Sequence, residues 1–342
     1  MLININIVLI FLYIFILNFF FNKINFLKDK KKVFKHKNLI DKNITPPFSG
    51  GLFFIATILI FIPNEFLIFK YFLSLIFLIG FFSDLNILKS PNLRFTLQIL
   101  TVLIFINLLD VKIFSIRIEY IDFLLENYFF SIIFTSFCVL IIINGTNFID
   151  GVNTSVLGYY LILLIFLNFL MRDLDINVFG FQNLNLIIFC LICLYFLNFF
   201  ERLYLGDSGA YIISLFSGIL LIQIANQNEL VSPYYVANLL WYPAYEILFS
   251  IIRKIKNKKS AFEPDNSHFH QLLYLYLKGF FKNKKINNTL TGCILNLYHL
   301  VFVFIVSIDY SNTKYQVMMI SLSIIIYSFF YVILKKTIRT KI

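Results

Sequence analysis

The chain has 342 residues, of which 60% are hydrophobic and only 14% charged. That much apolar surface exceeds what one soluble core buries, so a soluble globular protein is excluded and an all-α polytopic membrane protein is expected. The net charge of +11 is no sign of nucleic acid, because the basic residues flank apolar segments and no nucleic-acid-binding module is present, and the four cysteines form no disulfide framework.

Segments able to cross about 30 Å of hydrocarbon as helices are predicted near 2–21, 48–62, 66–83, 95–109, 128–143, 156–171, 184–200, 208–224, 235–252, 293–308 and 316–334. That makes ten to eleven spans, those at 48 and 95 being short enough to need their flanks or an oblique path. Residues Met1 to Phe21 lack a basic stretch before the apolar run and have one after it, the reverse of a cleavable signal, so a retained first helix is expected. The next connector carries Lys23, Lys28, Lys30, Lys31, Lys32, Lys35, Lys37 and Lys42. The odd-numbered connectors and the C-terminal tail together hold 24 of the 29 Lys and Arg. Since these residues accumulate on the cytoplasmic side, the N-terminus is expected outside and the C-terminus inside. No repeat and no soluble domain longer than a loop interrupts the spans, so residues 1–342 read as one membrane domain.

In chain order, the polar motifs are "PPFSGG" (46–51), "GFFSDLNILKSPNLRF" (80–95), "NGTNFIDGVN" (144–153), "LGDSG" (205–209) and "FEPDNSHFHQLL" (262–273), all at connectors assigned to one side. Asp84 ends a span with Lys89 and Arg94 near it; alone, such an acid is a solvated terminus. Asn144, Asn147 and Asp150 recur every third residue, so on a helical end they share one side, drifting by about 60° per step. The bland alternative is a helix unwinding at an Asn-Gly turn, served by Gly145 and Gly151. Asp207, between Gly206 and Ser208, is either an N-cap or a ligand for a hard cation such as Mg²⁺. His268 and His270 suit phosphate contact or acid–base work better than zinc, for which further ligands are missing. Inside the spans, Lys70 is expected to snorkel outward, whereas Glu246 lies deep enough to need a partner or a wet cleft. Cys190 and Cys193 are expected to pack as small apolar residues, and His299 to hydrogen-bond between helices. The run Arg253, Lys254, Lys256, Lys258 and Lys259 reads as topology signal and attraction to anionic lipid.

Together the ordered motifs resemble the polyprenyl-phosphate N-acetylhexosamine-1-phosphate transferase family, over roughly two-thirds of the chain. "NGTNFIDGVN" is similar to its N-x-x-N-x-x-D-G-x-D element, "LGDSG" to its Mg²⁺-binding element, and "HFHQ" to its His cluster. The resemblance implies a cytoplasmic-face cleft where a polyprenyl phosphate attacks the sugar-bearing phosphorus of a UDP-sugar, giving polyprenyl-diphospho-sugar and UMP at the bacterial plasma membrane. It implies that Asp207 holds Mg²⁺, with Asp150 as second metal contact and Asn147 organising the site. It further implies Asp84 as base or second acidic contact, His268 and His270 as phosphate or sugar contacts, and Asn144, Asn153, Gly206, Ser208 and Glu246 as substrate-binding or supporting groups. A homodimer is also suggested.

The chain departs from the family pattern at Ser83, where an Asp is usual, at Asn153, another usual Asp, and at Gln271, where many members have a further His. Ser being a poor base, Ser83→Ala is expected to be tolerated. An inactive relative and the pentapeptide-specific branch remain alternatives within the family. A lipid-intermediate transporter or flippase shares the topology, but would place polar residues near the bilayer midplane. A CDP-alcohol phosphotransferase motif fails at Thr154 and Ser155.

Overall fold

A computed structural model describes residues 2–28, 45–258, 267–281 and 283–341. Lys30 to Lys42 of the first basic connector, Lys259, and Phe262 to Asn266 of the last motif lie outside the described residues. The helices are α1 (Leu2–Lys23), α2 (Gly50–Phe61), α3 (Leu67–Asp84), α4 (Pro91–Leu109), α5 (Glu119–Leu125), α6 (Tyr128–Ile149) and α7 (Ser155–Asp173). They continue as α8 (Phe181–Phe199), α9 (Gly206–Gln227), α10 (Pro233–Leu239), α11 (Trp241–Lys256), α12 (Phe269–Leu277), α13 (Lys284–Val306) and α14 (Thr313–Lys341). No strand occurs among the described residues, and the protein is an all-α polytopic membrane protein.

Local signals explain several helix starts. Ser90 accepts from the Leu93 N–H ahead of Pro91, Asn127 accepts from Phe129 and Phe130, and Asn283 accepts from Lys285. Each satisfies a first-turn N–H that has no partner inside the helix.

Among the described residues, nine helices are long and apolar enough to cross a membrane: α1, α3, α4, α6, α7, α8, α9, α13 and α14. The two other expected spans take different forms. The one at 48–62 is α2, whose 12 residues reach only about 18 Å. The one at 235–252 breaks at Leu240 into α10 and α11, with Pro243 near the start of the second piece. The break frees the Leu239 carbonyl, which accepts from the Tyr159 hydroxyl at 2.6 Å. In a bilayer, backbone released in this way must find such a partner inside the protein.

Helix α9 is the axis of the bundle, buried on nearly all sides, with α2, α3, α6 and α7 around it. One end is pinned by Arg117, which donates to the carbonyls of Ser311 and Glu229. At the opposite end, "PPFSGG" is structural backbone pairing. Tyr204 N–H donates to Pro47 O at 2.9 Å, Gly50 N–H to Tyr204 O at 3.1 Å and Gly51 N–H to Leu205 O at 3.2 Å.

The isolated polar residues resolve individually. Lys70 is buried but reaches the Leu59 carbonyl and Asn64 Oδ1, at 3.1 and 3.2 Å. Cys190 packs in the core and accepts from Thr57. His299, expected to hydrogen-bond, instead lies flat on Tyr159 with ring centroids 3.8 Å apart, and neither ring nitrogen has a partner among the described residues. Stacking on Tyr159 is thus what holds the ring among the described residues, in place of the expected hydrogen bond.

Candidate active site

The site-bearing end of the bundle is assembled by glycines that let backbones touch. A Cβ at Gly80 would lie 2.4 Å from Ser208 Cα, and one at Gly51 would lie 2.5 Å from Gly209 N. Helix α3 therefore meets the first turn of α9 backbone to backbone, and α2 meets it at the Gly209 backbone and the Ser208 hydroxyl. Gly206 has φ of +78°, a conformation open to glycine, and a Cβ there would strike the Asp84 carboxylate.

Across this contact Asp84 caps α9. Its carboxylate accepts from Asp207 N–H at 2.8 Å, Ser208 N–H at 3.1 Å and the Ser208 hydroxyl at 2.7 Å. A carboxylate is well suited to the orphan donors and positive end of a helix N-terminus. The cap that the sequence offered as an alternative role for Asp207 thus comes from another helix, and Asp207 is released for other contacts. Its Oδ2 accepts from the Ser83 hydroxyl at 2.7 Å and from Arg94 Nη1 at 2.8 Å. Arg94 also donates to the Ser83 hydroxyl. Ser83 therefore occupies the usual Asp position as a bridge between a carboxylate and a guanidinium.

The second group lies at the end of α6, which stays helical through Asn144, Gly145 and Asn147 rather than unwinding at the Asn-Gly pair. Gly145 serves packing instead: a Cβ there would lie 2.2 Å from the Pro243 carbonyl of α11. Asn144 donates to Gln98 Oε1 at 3.0 Å, while Asn147 Oδ1 is buried with no partner among the described residues. Asp150 is the C-cap residue of α6, and Gly151 leaves room for His270, whose Nε2 would be 2.0 Å from a Cβ there.

Arg94 and Gln98 join the two groups. Four residues apart on α4, they share a helix face; Arg94 reaches Asp207 on α9 and Gln98 reaches Asn144 on α6. Gln98 was missed in the sequence, and Arg94 was noted only as a neighbour of Asp84. The available signal was the four-residue spacing of Arg94 and Gln98 in the largely apolar "LRFTLQIL".

On the other side of α6 lie α11 and α12. His268 Nδ1 is 2.9 Å from Glu246 Oε1, and its ring meets the Phe148 edge with centroids 5.1 Å apart. Glu246, expected as a substrate contact, is fully buried with both oxygens engaged by protein groups, the second by the Tyr327 hydroxyl at 2.5 Å. His270 is buried with neither ring nitrogen partnered among the described residues. Burial, with His268 alongside, pushes its pKa down to about 3 although Glu246 acts in the opposite direction, so the ring is neutral near pH 7. Gln271, in place of a further His, accepts from the His268 backbone N–H at 3.1 Å and so closes the first turn of α12. Lys254, read as part of a lipid-facing charge run, is buried, with its ammonium 5.6 Å from the centre of the Phe148 ring.

Asn153 sits apart. Its amide reaches Glu201 and Thr289, and its backbone N–H donates to Asn288, none of them an expected site residue. The turn it belongs to is held by Asn198 and Asn296, with Thr154 at φ of +68°.

Among the described residues, no group of three or more His, Cys, Asp or Glu is set to hold a metal by itself. A hard cation needs fewer, since one or two carboxylates and substrate phosphates complete its shell. Asp207, and the unpartnered buried oxygen of Asn147, are donors of that kind.

Residues 66–225 match glycosyl transferase family 4. Over 163 residues the chain is 31% identical to a decaprenyl-phosphate N-acetylglucosaminephosphotransferase of Mycobacterium leprae, covering 42% of this chain and 41% of the relative. It is 29% identical to the Mycobacterium tuberculosis protein of the same name over 163 residues, 42% of this chain and 40% of that one. It is 25% identical to an undecaprenyl-phosphate alpha-N-acetylglucosaminyl 1-phosphate transferase of Thermotoga maritima over 259 residues, 75% of this chain and 74% of the other. The matched stretch thus spans about two-fifths of the length of the mycobacterial relatives and about three-quarters of the Thermotoga one. The matched segment carries Ser83, Asp84, Arg94, the α6 motif and Asp207 in one ordered set, and over residues 66–225 the chain is similar to glycosyl transferase family 4.

Proposed function

We propose that the protein transfers a sugar 1-phosphate, an N-acetylhexosamine 1-phosphate, from a UDP-sugar to undecaprenyl phosphate. UMP is released, and a cell-envelope glycan is begun. A non-bridging oxygen of the lipid phosphate attacks the sugar-bearing phosphorus, and the bond from that phosphorus to UMP breaks. The observation that carries this reading is the junction made by α4, which links Asp207 to Asn144 through Arg94 and Gln98 at one end of the bundle. A lipid acceptor and a nucleotide donor meet at such a boundary, and phosphoryl transfer asks mainly for positioning and charge neutralisation.

In this reading Asp207 holds a Mg²⁺ ion, with Asp150 as second carboxylate and Asn147 as a neutral oxygen donor. The ion, when bound, supplies positive charge to the diphosphate. Arg94 offers a planar fork of donors matched to phosphate oxygens. Asp84, with its carboxylate set on the first turn of α9, positions Asp207 rather than accepting the proton. Neutral His270 donates a hydrogen bond to phosphate or sugar. The site faces the cytoplasm of a bacterial plasma membrane, with the N-terminus outside.

The test is UMP release by purified protein given undecaprenyl phosphate, Mg²⁺ and a panel of UDP-sugars. Asp207→Asn is expected to lower turnover by about a hundred-fold or more, the scale of losing one preorganised charge contact. Undiminished turnover in that variant sinks the metal assignment, and no release with any donor from folded protein sinks the transfer reading.

A further inference from the structure

Glu246 is fully buried, and removing a carboxylate from water is costly unless its lone pairs are met. Three groups meet them: His268 Nδ1 at 2.9 Å and Phe269 N–H at 3.4 Å on Oε1, and the Tyr327 hydroxyl at 2.5 Å on Oε2. The Phe269 amide can only donate, and with the Tyr327 hydroxyl donating to the other oxygen the carboxylate is an acceptor on both sides, which leaves the proton of this contact on His268 Nδ1. The backbone of His268 is fixed separately, through Gln271. Tyr327 is in turn wedged among Phe269, Tyr245 and Phe249, at ring centroid distances of 4.8, 4.9 and 5.6 Å.

We propose that Glu246 and Tyr327 are a positioning pair that commits Nδ1 of His268 to protein and reserves its Nε2 for the substrate. The pair makes α14, the C-terminal helix, part of the catalytic apparatus. All three residues lie beyond the family-matched segment 66–225, so the arrangement belongs to the part of the chain that the match leaves uncovered. The effect on turnover rests on the transfer reading above; the protonation state of His268 does not.

Two measurements separate these dependences. In protein labelled with ¹⁵N-histidine and held in lipid nanodiscs, imidazole nitrogen shifts report which nitrogen bears the proton, and His268→Gln identifies the signals. Nδ1 of His268 is expected to bear the proton in the wild type and to lose that preference in Glu246→Gln. An unprotonated Nδ1 in the wild type overturns the proposal, whatever the enzyme does.

The kinetic arm compares variants that keep size with variants that keep charge. Glu246→Gln preserves length and is expected to lower kcat by about ten- to hundred-fold, the range for groups that orient functional histidines at metal sites. Its KM should change little, and Glu246→Asp, which preserves charge, should retain more turnover. A purely packing role predicts the opposite order and overturns the proposal. The double variant with His268→Gln should be no slower than His268→Gln alone, because Glu246 acts through that ring. If Glu246→Gln does not fold, Tyr327→Phe removes one hydroxyl from the same carboxylate and is expected to lower kcat several-fold with the same insensitivity to His268→Gln. Wild-type protein inert toward every UDP-sugar would defeat the transfer reading while the nitrogen shifts still decide the pair.

Discussion

Ser83 shows how a single hydroxyl takes over a position where the family that the chain resembles usually has a carboxylate. It donates to Asp207 and accepts from Arg94, so its loss removes a buried hydrogen bond to a charged group. Ser83→Ala is expected to cost about 1.5–3 kcal/mol of stability, read by thermal unfolding in detergent. Turnover should fall by less than about ten-fold, since Arg94 keeps its own contact with Asp207 and 1.4 kcal/mol is a factor of ten. A far larger drop would put Ser83 in the chemistry. His270 makes a separate prediction. Its pKa of about 3 in the folded protein lies below the ordinary histidine value of about 6.5. Between these two values the unfolded chain binds the proton that the folded one refuses, so this contribution to stability is present above about 6.5 and is lost as pH falls toward 3. Melting temperatures at pH 7.5 and pH 5 should therefore differ more in the wild type than in His270→Gln; equal differences would show that the ring titrates normally.

At the scale of elements, glycine placement decides which helices can meet. Gly80 faces backbone atoms of Ser208 that have no side-chain freedom to yield, whereas a Cβ at Gly218 on α9 would meet nothing within 4 Å. Gly80→Ala is expected to destabilise by about 1–3 kcal/mol through overpacking and to disturb the Asp84 cap. Gly218→Ala should be neutral or stabilising by about 1 kcal/mol. Equal melting temperatures for the two variants would count against the close α3–α9 approach. The same comparison shows what was legible beforehand. Asn144, Asn147, Asp150, Asp207 and the histidine pair announce themselves because polar residues in an apolar chain need a reason. Gln98 does so only through its spacing from Arg94, and Tyr327 not at all, since one aromatic residue in a span carries no signal until the helix against which it packs is known. The break at Leu240 was hidden for a related cause: residues 235–252 are long and apolar enough to pass as one span despite Pro243, and only the Tyr159 hydroxyl, distant in sequence, makes a freed carbonyl there tolerable. The number of spans was read well where helices are long and least well at α2, whose 12 residues merge with the non-helical backbone paired to 204 and 205.

For the whole molecule, the bundle separates its two ends by chemistry. One carries the motif residues and the other the Arg117 clasp, so orientation across the membrane can be measured without knowing the substrate. In a background without native cysteines, Tyr120→Cys should react with a membrane-impermeant maleimide on intact cells. Lys278→Cys should react only after the membrane is opened. Both positions are exposed, and the reverse pattern would invert the expected topology.

The glycine contacts around the first turn of α9 also bear on motion. Where backbone meets backbone, no rotamer can absorb a displacement, so α2, α3 and the start of α9 shift together or not at all. Beyond the Gly145 contact with Pro243, side chains with alternative rotamers fill the seam between α6, α11 and α12, where Phe148 lies against His268 and Lys254. On the transfer reading proposed above, donors of different bulk would be accommodated on the histidine side, with the aspartate side as the fixed jaw. Changes of sugar preference should accordingly arise from substitutions in the α11–α12 region, with "GFFSD" and "LGDSG" held constant.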